Sequence, residues 1–125
     1  MTRSALYIAA LLIVLVSLAH SYLGERYILT RLFRRCELPR LFGGTEFTKR
    51  TLRFAWHVTS VAWLGLAAIL LVVAEGAGHE RQVIGVIAAT FAVHFAITLF
   101  GSRGKHLAWV AFLAIAILGM VAATT

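Results

Sequence analysis

Three histidines, His20, His57 and His94, lie inside hydrophobic segments of this 125-residue chain. An ionisable side chain within a bilayer-length apolar segment is costly unless it faces protein, a cavity or a ligand. Imidazole is the commonest ligand for zinc, copper, iron and nickel. Two axial histidines on neighbouring antiparallel helices also hold haem b in membrane four-helix bundles. A third chemistry is a proton relay or anion path, with histidine and Arg53 at a cavity mouth. The plain alternative is that each histidine bonds a nearby hydroxyl or carbonyl and only packs.

The elements that must position these residues follow from composition. Hydrophobic residues make up 61% of the chain and charged residues 14%, with a mean hydropathy of +0.88. A soluble domain carries about half apolar and a quarter charged residues. Ala5–Leu23, Phe54–Ala74, Gln82–Ser102 and Leu107–Thr125 contain no Asp, Glu, Lys or Arg. About 20 residues of helix cross a hydrocarbon core. The pattern predicts an all-α integral membrane protein, one domain over 1–125, with four spans in an antiparallel bundle. The expected spans are about 5–23, 54–74, 82–101 and 107–124. The first block exceeds the usual 7–15 residue core of a signal peptide and is expected to be retained.

Basic residues set the expected orientation. Arg26, Arg31, Arg34, Arg35, Arg40, Lys49, Arg50 and Arg53 lie between the first two spans, and Arg103 and Lys105 in the last turn. Only Arg3 and Arg81 fall on the other side. The positive-inside rule then places both loops in the cytoplasm and both termini outside an inner (plasma) membrane of bacterial type. The net charge of +7 implies attraction to anionic lipid, not to nucleic acid, for which no module is visible.

Within the first loop, Ile28, Leu29, Leu32, Phe33 and Cys36 recur at helical spacing, with Arg31, Arg34 and Arg35 opposite. This predicts an interfacial amphipathic helix over about 25–37, with Leu29, Leu32 and Phe33 in the acyl boundary and the arginines among phosphates. Pro39 ends it, Gly43-Gly44 turn the chain, and Thr45 is placed to cap the next helix. Cys36 is the lone cysteine, so it forms no intrachain disulfide or CxxC pair; packing or palmitoylation are its expected roles.

Counting 1.5 Å per residue from the expected span ends, His20, His57 and His94 lie roughly 5, 5 and 9 Å below one interface. His106 sits at that interface, and Glu25 lies about a turn beyond His20. The metal or haem ligand candidates are therefore His20, His57, His94, His106 and Glu25. Polar stripes extend the site: Ser17, His20, Ser21 and Gly24 in the first span; Arg53, His57 and Ser60 in the second; Thr90, His94, Thr98 and Gly101 in the third. Such stripes turn inward to find partners. The fourth span is apolar with small residues and reads as a packing helix.

Missing residues exclude several classes. Proton-coupled small multidrug exporters share this length but need a carboxylate deep in the first span, which is absent here. Dual-topology fluoride channels lack so strong a charge bias. No HExxH, serine nucleophile elbow or phosphate-binding glycine loop occurs. The leading expectation is a histidine-lined intramembrane site binding a transition metal ion or haem b for redox or metal handling. The alternatives are a small oligomeric channel or transporter with a His/Arg-lined cytoplasmic mouth, and a structural subunit of a larger membrane complex.

Overall fold

The computed structural model describes residues 2–35 and 37–124, so Cys36 and the role expected of it lie outside the described residues. Helix α1 (Thr2–Leu23) does not stop at Gly24. It widens into a π-helical segment (Gly24–Leu29) and closes with one α-helical turn (Thr30–Leu32). The separate helix expected over 25–37 is therefore the end of α1, and Phe33–Arg35 leave it through tight turns. Glycine inside a helix costs about 1 kcal/mol relative to alanine. At Gly24 the bare backbone is used: the Trp56 indole packs where a Cβ would stand, and its Nε1 donates to the His20 carbonyl at 3.0 Å. Leu29, expected to face lipid, is buried at 2% exposure, and Phe33 is half-buried beneath the Arg53 guanidinium, 5.0 Å from its ring centre. Protein covers much of the face expected to lie in lipid. Leu32 is half-buried, and Arg31, Arg34 and Arg35 are exposed.

The loop turns at Leu41–Gly44, where Gly43 takes a φ of 85°. Thr45 holds the N-cap position of α2 (Glu46–Ala74), but its hydroxyl makes no capping bond. Thr48 instead donates to the Pro39 carbonyl at 2.8 Å and ties the loop to the first turn. The helix starts eight residues before the expected Phe54, because its charged turns are helical too; Glu46 and Arg50 pair one turn apart at 3.6 Å. Helices α3 (Glu80–Ser102) and α4 (Ala108–Thr124) keep close to the expected bounds. By length and composition Arg3–Leu32, α2 and α3 can each cross a membrane, while α4 is a shorter apolar helix of 17 residues.

Among the described residues, α1 packs on α2, α2 on α3 and α3 on α4, and no other pair of these helices meets. The expected antiparallel bundle is laid out as an open row. The accessible surface of 8200 Å² exceeds the roughly 6,600 Å² of a compact monomer of this mass. Leu11, Leu12, Leu15 and Leu18 remain exposed, as lipid-facing side chains do. Small residues set the close approaches within the row: Thr90 lies over Gly65, and Ala88 against Gly119. At the end away from the basic loops, Tyr7 and Arg3 donate to Glu75 at 2.7 and 2.9 Å and latch α1 to α2. The Tyr7 hydroxyl, then the Arg3 guanidinium, hold the Glu75 carboxyl below the usual carboxylate value.

Candidate functional site

The α1–α2 seam carries a continuous polar chain. Ser21 Oγ donates to Ser60 Oγ at 2.9 Å, and Ser60 Oγ lies 3.0 Å from His20 Nδ1. Ser21 Oγ is also 3.0 Å from His57 Nδ1, and His57 Nε2 is 3.4 Å from Glu25 Oε2. Arg53 closes the chain on Glu25 with two contacts, Nη2 to Oε1 at 2.9 Å and Nε to Oε2 at 3.2 Å. The order is His20, Ser60, Ser21, His57, Glu25, Arg53.

Each link comes from helix geometry. His20 and Ser21 are consecutive on α1, while His57 and Ser60 are three apart on α2 and share a face. The antiparallel helices place the two pairs opposite each other. Gly24 then lets Trp56 close over the seam, stacked on the His20 ring at 4.5 Å with 3° between the planes, and Trp63 adds a second wall at 4.9 Å. The π-helical segment begins at Gly24 and carries Glu25, which meets His57 and Arg53; such π-turns inside helices recur at functional sites. His57 stands 11 residues past Glu46, and His20 12 residues before Leu32. Both lie about 16–18 Å from the basic ends of their helices.

The hydroxyls give the chain two hydrogen arrangements. In one, His57 Nδ1–H donates to Ser21, Ser21 to Ser60 and Ser60 to His20 Nδ1. In the other, every donor is reversed: His20 Nδ1–H donates to Ser60, Ser60 to Ser21 and Ser21 to His57 Nδ1. A serine hydroxyl both donates and accepts, and neutral imidazole has one nitrogen of each kind, so both arrangements satisfy the links from His20 to His57, while only the second leaves a His57 Nε2–H to donate to Glu25. Passing from the second to the first takes one proton in at His20 Nε2 and one out at His57 Nε2, with the protons between them hopping along existing bonds. The Glu25–Arg53 pair is partly exposed, with 36% and 52% of the side chains accessible, so its contribution to stability is small.

The other expected site residues stand apart. His94 is buried on α3, donates from Nε2 to the Val58 carbonyl at 3.1 Å and packs on Phe91 and Phe112. Its Nδ1 has no partner among the described residues. It lines a cavity of about 220 Å³ with Gly65 and Thr90, against the α2–α3 seam instead of the α1–α2 seam. Thr90 donates to the Val86 carbonyl at 2.7 Å, and the Thr98 hydroxyl is buried without a partner among the described residues. His106 accepts the Ala108 N–H at Nδ1, 3.3 Å away, and meets Phe54 edge-on at 5.3 Å. Ser17, one turn from Ser21 on α1, has a buried hydroxyl without a partner among the described residues.

Of the ligand candidates, the structure brings together His20, His57 and Glu25, with Arg53 and Ser60, and leaves out His94 and His106. Both ring nitrogens of His57 are engaged. Among the described residues, no three histidine, cysteine or carboxylate side chains are grouped so as to hold a metal ion. Trp56 and Trp63 were not among the expected site residues. Their spacing carried the signal, since 56, 60 and 63 fall on one helical face. No protein-family model matches the chain, and no curated protein or solved structure matches it, so the geometry of the site carries the functional argument.

Proposed function

We propose that the α1–α2 seam is a proton relay in a small polytopic membrane protein of the channel or transporter class. In this reading all four helices cross the membrane, the basic end faces the cytoplasm and both termini lie outside. The supporting observation is the unbroken chain from His20 through Ser60, Ser21 and His57 to Glu25. A metal or haem reading through a shared set of His20, His57 and His94 has no comparable arrangement behind it.

A proton taken up at His20 Nε2 makes the ring an imidazolium. Its Nδ1–H bond breaks as an O–H bond forms on Ser60, Ser60 passes its own proton to Ser21, and Ser21 passes its own to His57 Nδ1. His20 is left neutral and His57 carries the charge. His57 Nε2–H then passes to the Glu25 carboxylate, whose exposed side releases the proton at the basic end. The chain resets when the two hydroxyls rotate and each neutral ring, by exchange with water, moves its proton to its other nitrogen, His20 to Nδ1 and His57 to Nε2. One proton enters, one leaves, and no group is consumed.

Proton entry into liposomes holding the purified protein, followed with a trapped pH-sensitive dye under a potassium diffusion potential, tests the relay. The wild type is expected to pass protons faster than protein-free vesicles. The double variant Ser21→Ala/Ser60→Ala is expected to fall to the protein-free rate. Interhelical hydrogen bonds in membranes average about 0.6 kcal/mol, so this variant keeps its fold. A wild type no faster than empty vesicles, or a double variant as fast as the wild type, overturns the relay.

A further inference from the structure

A second feature lies at the basic end, on the α3 side of α2. A cleft of about 520 Å³ is lined by Lys49, Arg50 and Arg53 with Glu46 on α2, by Phe33 after the end of α1, and by Ile97 and Phe100 on α3. We propose that this cleft holds one anionic glycerophospholipid, its phosphodiester against Lys49, Arg50 and Arg53 and the start of an acyl chain along Phe33, Ile97 and Phe100.

Charge supports the anion. Against the three cations stand Glu46 in the lining and Glu25, paired with Arg53 at 2.9 Å, which leaves a net positive charge, and among the described residues Lys49 has no acidic partner. Arg50 is held only loosely by Glu46, at 3.6 Å. A neighbouring smaller cleft, on the other side of Arg50, adds Arg103 and Lys105. The field at this end is therefore positive on both sides of Arg50, which favours a phosphate over a neutral headgroup.

Shape and depth separate a lipid from a free phosphate. The volume falls in the range of ligand-sized sites, well beyond the few atoms of inorganic phosphate. The cations occupy the first two turns of α2, where a helix of 29 residues, about 43 Å, emerges from a hydrocarbon core of about 30 Å into the headgroup layer. The aromatic and aliphatic wall continues along α3 toward the core, with Phe100 75% exposed beside it. A cleft cationic at headgroup depth and apolar below it is complementary to an amphiphile. The cleft shares Arg53 and His57 with the polar chain of the α1–α2 seam, while Lys49 and Arg50 stand outside that chain and carry the test.

Native mass spectrometry of the full chain in non-ionic detergent, titrated with dioleoyl phosphatidylglycerol or dioleoyl phosphatidylcholine, tests it. One phosphatidylglycerol per chain is expected to be retained in preference to phosphatidylcholine. Lys49→Gln/Arg50→Gln is expected to weaken that retention about 25-fold, two cations at roughly fivefold each. Phe100→Ala should weaken it too, while Arg34→Gln, at the same end but outside the cleft, should not. Equal retention of the two lipids overturns the proposal, as does an Arg34→Gln effect equal to that of the double variant. Displacement of the lipid by inorganic phosphate at millimolar concentration assigns the cleft to free phosphate and overturns the lipid. Loss of proton flux with lipid binding intact leaves this site standing, so the two readings fail separately.

Discussion

His20→Ala and His57→Ala are each expected to lower proton flux by about 10²-fold, the low end of what a positioned proton-transfer group contributes. The double variant is expected to be little slower than either single one, because links in series fail as a unit. His94→Ala is the internal control. It loses one bond to the Val58 carbonyl, an effect on the order of 1 kcal/mol in stability, and its flux is expected to stay at the wild-type rate. The measurement pairs vesicle flux with thermal unfolding in detergent for the four variants and the wild type. Independent, additive losses at His20 and His57 would mean that each histidine packs and none relays. A flux loss at His94 equal to that at His57 would return the three histidines to one shared site, against the separation of the two seams.

The largest stability effect is expected at Gly24. Gly24→Val places a branched side chain where the Trp56 indole lies, expelling the ring from the seam and breaking its bond to the His20 carbonyl. Overpacking of this kind costs about 1–3 kcal/mol, and the loss of the indole bond puts this substitution at the upper end. Gly85→Ala supplies the opposite sign. Nothing lies within 4 Å of a Cβ at that position on α3, so relief of glycine's helical cost should stabilise by about 1 kcal/mol. The check is the melting temperature of the two variants against the wild type. A Gly24→Val protein that melts with the wild type would mean that the α1–α2 seam does not depend on this contact.

Each of the two glycines is a helix-weakening residue, Gly24 at the end of an apolar run and Gly85 inside one. The neighbour across the seam distinguishes them, and this explains the largest departure in the fold. Ending the first span with its uncharged run at Leu23 yields a separate helix over 25–37 with Leu29 in lipid. With Trp56 opposite, Gly24 is a contact, α1 runs on to Leu32 and Leu29 is buried. The start of α2 departs for a related reason. Apolar run length marks where a helix can enter hydrocarbon, not where its backbone bonds begin, and the turns from Glu46 to Arg53 carry charge without leaving the helix.

What the chain determines by itself is what composition and period control: helical class, the number of long apolar segments, the shared end of the basic residues and the inward polar stripes. Hydropathy and helical spacing are local quantities, and each needs only a few turns of sequence to be read. Which stripe meets which is not local. Ser21 and Ser60 stand on stripes of equal appearance to that of Thr90 and Thr98, yet the first two link His20 to His57, while Thr90 bonds its own helix and Thr98 is buried without a partner among the described residues. That outcome was decided by the open row. Because α1 packs on α2 alone, the polar face of α1 can pair only with that helix, and His94, bonded to the opposite side of α2, is kept from the histidines it resembles in sequence.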